Sequence, residues 1–133
     1  MENSFKVEVV SPEEIIFSSE NIQEVVLPSY EGEIGILKEH IPIIEFLKPG
    51  IVKFFKSSEN IKSFFVQSGI IEFYDNNLTI LSSDIIDLKN LKKEKIDHLI
   101  SEAEKVLNDK QLKDDKIYLA SHQISVLKSL NLN

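Results

Sequence analysis

The chain reads as a β + α protein: an N-terminal antiparallel β-sandwich followed by a C-terminal antiparallel α-helical hairpin. Three observations predict this. All four Gly (32, 35, 50, 69) and all four Pro (12, 28, 42, 49) lie at or before Gly69, and all eight Phe lie at or before Phe73. Gly and Pro break helices and mark turns, so the first part is turn-rich, while the last 64 residues contain neither and are free to be helical. Apolar residues alternate with period two in the first part and recur at helical spacing from about Leu91. The expected division is 1–84 for the sandwich and 85–133 for the helix-loop-helix. It is marked by a change of period, with no repeat or low-complexity linker.

Phe5, Val7 and Val9 alternate with Lys6 and Glu8, the pattern of a half-buried strand. Ser11-Pro12-Glu13-Glu14 is a turn, because Pro fixes φ and Ser bonds locally to the backbone. Ile15 to Phe17 and Ile22 to Leu27 are the next strands expected. Glu31-Gly32 and Lys48-Pro49-Gly50 are turns. Strands at Ile51 to Lys56, Ile61 to Gln67, Ile70 to Tyr74 and Leu78 to Leu81 follow, separated by Ser57-Ser58-Glu59-Asn60, Ser68-Gly69 and Asp75-Asn76-Asn77. Strands this short with turns at this pace fit an antiparallel sandwich or barrel. Further on, Ile96, Leu99, Ile100, Ala103, Val106 and Leu107 share one helical face within Leu91 to Leu107. After a polar break the pattern restarts at Ile117 and runs through Ala120, Ile124, Leu127 and Leu130, with Asp114 or Asp115 suited to an N-cap. Two amphipathic helices joined by a short loop make a hairpin, and its small apolar contact lets it detach at modest cost.

Composition removes several function classes. The net charge is −7 over 133 residues, which repels nucleic acid and anionic lipid. All 15 basic residues are Lys, so no guanidinium fork is available for bidentate recognition of phosphate or carboxylate. There is no Cys, which excludes disulfides, thiolate metal sites and thiol nucleophiles. The longest apolar run is Ile117 to Ala120, far short of the roughly 20 residues a membrane helix needs. Met1-Glu2-Asn3-Ser4 has neither a basic start nor an apolar stretch, so no signal peptide is expected and a reducing compartment is.

Motifs that carry chemistry are missing. Gly32 and Gly35 are too close together for a phosphate loop, and no Gly-Lys-Ser/Thr follows. Ser68 does not sit in a Gly-x-Ser-x-Gly elbow. His40, His98 and His122 lack metal-ligand spacing, and the last two read as solvated helix residues. Glu31 and Glu33 flank Gly32 and imitate a hydrolase acid pair, but a solvated turn or a docking contact is the better account. Lys89, Lys92, Lys93 and Lys95 cluster where a helix begins, a position where positive charge opposes the dipole. They serve either as a solubilising surface or as a contact for an acidic partner. The residues alone therefore indicate a non-enzymatic interaction module with no cofactor and no metal. The rival reading is a free-standing sandwich that binds a small ligand on a concave aromatic patch, with Phe54, Phe55, Phe64, Phe65 and Tyr74 as candidates and the hairpin as a dimerising element.

Glu31-Gly32-Glu33-Ile34-Gly35-Ile36-Leu37, then His40-Ile41-Pro42 and Leu47-Lys48-Pro49-Gly50, resemble the epsilon subunit of rotary F-type ATP synthases. Val9-Val10-Ser11-Pro12-Glu13 and Ile16-Phe17-Ser18 resemble the opening of that family. Ser68-Gly69-Ile70-Ile71-Glu72 and Leu78-Thr79-Ile80-Leu81 resemble its last sandwich hairpin. The resemblance runs from about Phe5 to Asp84 in order and spacing. It implies a sandwich of about ten short strands plus a helix-loop-helix, with no active site in the subunit. It implies a central-stalk role that couples rotation of the membrane ring, through the gamma subunit, to ATP synthesis.

The implied partners are gamma, the loops of the c-ring and, through the hairpin, the alpha and beta catalytic subunits, without nucleic acid or direct lipid insertion. The implied location is the cytoplasmic face of a bacterial inner membrane, as a peripheral part of the complex. Glu31, Gly32, Glu33, Gly35 and His40 are then expected on the c-ring side, on a tight loop shaped by Gly32 and Gly35. Lys92, Lys95, Lys116, His122 and Lys128 are the expected regulatory residues of the hairpin, which would limit ATP hydrolysis. Two departures matter. The Ile/Leu-Asp-x-x-Arg-Ala motif that binds ATP in some members would place Lys92 at the Asp and Lys95-Ile96 at the Arg-Ala when aligned from Leu91, or Asn90 at the Arg when aligned from Ile86-Asp87. The Arg is missing in either alignment, so ATP binding is not expected. The last helix carries only Lys116 and Lys128 as basic residues after Asp115, which argues against strong inhibition.

Overall fold

Side chains on an extended chain alternate between faces, so a strand whose every second residue is apolar buries one side only. Among the described residues ten strands form in the first part of this chain, most of them with this pattern: β1 (Phe5–Val10), β2 (Ile15–Ile22), β3 (Glu24–Ser29), β4 (Gly32–Leu37), β5 (Ile43–Leu47), β6 (Gly50–Lys56), β7 (Glu59–Val66), β8 (Gly69–Tyr74), β9 (Asn77–Leu81) and β10 (Ile85–Asp87). The computed structural model describes residues 3–108 and 114–130. It divides into two compact units, Met1–Asp87 and Leu88–Asn133.

In the first unit, β4-β3-β6-β7-β10 and β5-β8-β9-β1-β2 form two layers, joined where the end of β3 meets β5 at Ser29↔Leu47. Between the layers lie Phe5, Val7 and Val9 of β1, Val25 and Leu27 of β3, Phe54 of β6, Phe64 and Val66 of β7, Ile71 and Phe73 of β8, and Leu78 and Ile80 of β9. The Phe54 and Phe64 rings meet edge to face at 5.9 Å, and Phe5 and Phe73 do so at 5.6 Å. Phe17 of β2 tilts against both Phe54 and Phe64 and so ties one layer to the other.

The turns obey local chemistry. Ser57-Ser58 and Asp75-Asn76 are two-residue hairpin loops with both residues at positive φ, the twist that suits paired strands. The Ser57 N–H donates to Gln23 Oε1 at 2.5 Å, which fixes the first of these turns. Gly50 is required by packing: a Cβ there would stand 2.5 Å from Cβ of Pro28.

Several expectations are corrected. One pairing, β1 with β9, is parallel: β1 lies between β9 and β2. Ile22 to Leu27 is not one strand: β2 ends at Ile22, β3 starts at Glu24, and the Gln23 N–H donates to the Phe55 carbonyl at 2.9 Å. β4 covers the stretch expected as a tight loop around Gly32 and Gly35, and β5 a stretch to which the sequence assigns no element. β10 lies within the region assigned to the second domain, and the first unit continues to Asp87 because Ile85, Ile86 and Asp87 pair with Val66, Phe65 and Phe64.

In the second unit a 3-10 turn (Leu88–Asn90) precedes α1 (Lys93–Leu107), and α2 (Asp114–Ser129) follows. The two helices pack side by side, with Ile96, Leu99, Ala103, Ala120 and Leu127 buried. Segment 109–113 lies outside the described residues; five residues leave room only for an antiparallel hairpin. α1 starts two residues later than expected, since Lys92 stands as an extended N-cap without a side-chain cap bond. α2 is described from Asp114 on, and the expected N-cap at Asp114 or Asp115 borders residues outside the described ones.

Candidate functional site

The sandwich has two ends, and the strand register divides the expected ring-side residues between them. Tyr30-Glu31 forms the two-residue turn from β3 to β4. Buried Ser29 fixes it: its hydroxyl donates to the Gly32 carbonyl at 2.7 Å and accepts from the Glu31 N–H at 3.2 Å. Gly32 has φ +116°, a conformation open to glycine and strained for other residues. Glu33 follows on β4, exposed and opposite Pro28. Gly35 is not part of a loop. It lies in mid-strand opposite Val26, and a Cβ there would make only an ordinary contact, 3.4 Å to Glu24 Oε2. Gly32 alone of the pair therefore shapes the turn.

His40 lies beyond the other end of β4, so Glu33 and His40 are separated by at least the four residues from Glu33 to Leu37, about 13 Å of strand. The His40 ring packs edge-on to Phe73 at 5.8 Å, and Nδ1–H donates to the Ile41 carbonyl at 2.7 Å. Glu39 (φ 69°) anchors this loop to the β8–β9 turn: its N–H donates to Asn76 Oδ1 at 2.7 Å, and Asn76 Nδ2 donates back to Glu39 Oε1 at 2.9 Å. Glu31, Gly32 and Glu33 thus share one end and His40 occupies the other, so one flat partner surface across the strand ends cannot touch both sets.

In the helical unit, Lys92 and Lys95 are exposed at the start of α1, and Lys116 and Lys128 are exposed near the two ends of α2. Antiparallel packing groups Lys92 and Lys95 with Lys128 and leaves Lys116 at the opposite end. His98 is exposed, 3.9 Å from Glu102. His122 is half-buried and stacks on Tyr118 at 6.1 Å, so it is not the freely solvated residue expected from the sequence. Among the described residues no three His, Asp or Glu side chains converge as metal ligands. No described helix is long and apolar enough to cross a membrane.

The most distinctive surface is one that the motifs did not mark. On the outer face of the second layer the register places Phe46 beside Ile70, Ile70 beside Leu81, Leu81 beside Val10 and Val10 beside Ile15. This apolar row crosses five strands, with Phe46 63%, Ile15 58% and Leu81 47% exposed. It runs along a groove of about 890 Å³, rimmed by Tyr30, Glu31, Glu45, Ser68 and Ser82. Exposed Ile44 and Tyr74 extend the apolar area, and exposed Glu72 adds a charge. The sequence carries a signal for this row. Val9-Val10, Ile15-Ile16, Phe46-Leu47, Ile70-Ile71 and Ile80-Leu81 are adjacent apolar pairs where alternation demands a polar residue, so one member of each must face outward. By contrast, of the five residues of the rival ligand-binding reading, Phe54, Phe64 and Phe65 are fully buried, Phe55 is half-buried and Tyr74 alone is exposed, so they form no aromatic patch.

Residues 4–87 match the family model described as ATP synthase, Delta/Epsilon chain, beta-sandwich domain. The chain is 47% identical over 132 residues to the ATP synthase epsilon chain of Pelagibacter ubique (strain HTCC1062), covering 98% of this chain and 100% of that one. It is 38% identical to the ATP synthase epsilon chain of Dichelobacter nodosus (strain VCS1703A), covering 80% of this chain and 74% of that one. It is 35% identical to the mitochondrial ATP synthase subunit delta of Eremothecium gossypii, covering 96% and 80%. Its fold is similar to a chain in the mitochondrial ATP synthase (OSCP/F1/c-ring) of Euglena gracilis, with a TM-score of 0.72 at 17% identity, covering 96% of this chain and 79% of that chain. A chain in the central stalk/c-ring of the Tetrahymena thermophila mitochondrial ATP synthase gives 0.69 at 15% identity, covering 96% of each. With a sandwich matched from end to end and a relative matched over its entire length, this chain belongs to the epsilon-chain family of ATP synthase.

Proposed function

We propose that the chain is a non-catalytic central-stalk subunit of a proton-translocating ATP synthase, coupling rotation of the membrane ring through the gamma subunit to ATP synthesis. The observation that carries this reading beyond family membership is the apolar row Phe46–Ile70–Leu81–Val10–Ile15. A face of this kind on a small acidic chain marks a protein-binding surface, and in a stalk the partner for it is gamma. The Glu31-Gly32-Glu33 end meets the polar loops of the c-ring, where a tight turn and an exposed carboxylate suit a polar contact. His40 lies at the far end, by the β8–β9 turn, away from that contact.

The helical unit is the regulatory arm. Its exposed Lys92, Lys95 and Lys128 give it a basic end for acidic segments of the alpha and beta subunits, where it limits ATP hydrolysis. The location is the cytoplasmic face of a bacterial inner membrane, reached through these partners. The test is titration of the purified chain with purified gamma subunit. A complex at micromolar concentration, lost on substituting Leu81→Glu, is expected. No complex at that concentration, or one indifferent to Leu81→Glu, overturns the assignment of this face.

A further inference from the structure

β10 is the last element of the sandwich and the shortest, with three residues paired along one edge of β7. Three backbone pairs hold a terminal strand weakly, because strand ends fray and local stability follows buried contact. Its beginning is nevertheless well fastened. The Gln67 N–H donates to the Asp84 carbonyl at 3.0 Å, the Asp84 N–H donates to buried Ser82 Oγ at 3.0 Å, and Ser82 Oγ donates to the Ser68 carbonyl at 2.5 Å. Its other end is fastened by charge: Asp87 forms an ion pair with Lys62 of β7, and both side chains are mostly covered, 16% and 23% exposed.

The position of this pair is unusual. Asp87 pairs with Phe64, and Lys62 is two residues before Phe64, so all three side chains lie on the core-facing side. Lys62 Nζ stands 5.7 Å from the ring centre of Phe64 in the first layer and 5.9 Å from that of Phe17 in the second. The ammonium thus closes the open edge of the sandwich with aromatic rings of both layers against it and one carboxylate from β10. Removing the Asp87 carboxylate leaves the Lys62 ammonium without this ion pair in a partly desolvated place, at a greater cost than a surface pair carries.

We propose that β10 is a latch, closed by Lys62–Asp87, that sets where the arm leaves the sandwich. Closed, the second unit begins at Leu88. Open, β10 peels back to the Ser82–Asp84 anchor and lengthens the tether by three residues, about 10 Å of extended chain. The consequence for hydrolysis rests on the arm reading above, but the latch itself is read on the isolated full chain.

The experiment is amide hydrogen exchange in the parent, Lys62→Met (which keeps an apolar stem over the rings), Asp87→Asn, and the double variant. The expected result is exchange about ten-fold faster at residues 85–87 in each single variant, with Ile71, Phe73 and Ile80 unchanged and the double variant no worse than the singles. Exchange within two-fold of the parent at residues 85–87 overturns the latch, as do additive effects in the double variant. The chain has no native Cys, so spin labels at Asn77→Cys and Asp97→Cys report the tether. Their distance distribution broadens in Asp87→Asn if the tether lengthens, and an unchanged distribution overturns that lengthening. Gamma binding by the same variants stays at the parent level, so loss of the latch and loss of the stalk assignment are told apart.

Discussion

Phe46→Ala separates docking from folding. Phe46 is 63% exposed in the isolated chain. A Phe side chain carries about 150–250 Å² of surface, so about 95–160 Å² of this one waits to be covered. At about 25 cal/mol per Å², covering all of it contributes about 2.5–4 kcal/mol. Truncation to a methyl group removes most of that. If the partner covers only half of the exposed ring, the loss is about 1–2 kcal/mol, or about ten-fold in Kd. Folding should barely respond, since surface substitutions usually stay within about 0.5 kcal/mol. The assay is calorimetric titration of gamma with parent and variant, alongside thermal melting of each chain alone. A weakened complex with an unchanged Tm supports the reasoning. An unchanged Kd refutes it, because the most exposed member of the row would then lie outside the interface.

Four further outcomes follow from the geometry. Gly50→Ala forces a Cβ to 2.5 Å from Cβ of Pro28, and denaturant unfolding should show a loss of about 1–3 kcal/mol. Gly32→Val places a β-branched residue at φ +116° and should cost about 1–3 kcal/mol in the same measurement, whereas Gly35→Ala should be neutral or stabilising by up to about 1 kcal/mol. Truncation after Asp87 keeps every strand, so far-UV circular dichroism should still report a folded sandwich that binds gamma, while ATP hydrolysis by the assembled enzyme rises if the arm restrains it.

Much of this architecture is written in local patterns. The change from period two to helical spacing placed both units. The Ser57-Ser58-Glu59-Asn60 and Asp75-Asn76-Asn77 breaks mark two hairpins, but only Ser57-Ser58 and Asp75-Asn76 are loop, while Glu59-Asn60 and Asn77 begin β7 and β9. β4 escapes local pattern because Gly32 and Gly35 favour a loop, and only pairing with β3 overrides that preference; β5 shows no clear period and is defined by pairing with β8. Ile85-Ile86-Asp87 is too short for any period to show. The candidate site fared differently. The motif led to Glu31, Glu33 and His40 but could not say that β4 holds them apart. The apolar row was hidden because Ile15, Phe46 and Leu81 look like core residues until the register decides which side each one faces.

The parallel neighbour of the first strand has a consequence for biosynthesis. β1 is made first, yet one of its flanking partners is β9, and Val10 has to wait for Leu81. At about 5–20 residues per second the ribosome needs about 4–14 s to deliver it. During that time β1 has only β2 beside it, and the hydrophobic interior stays open to water on one side. Closure of the sandwich therefore waits for β9, with β1 as its keystone, and damage to β9 would leave the interior open and aggregation-prone.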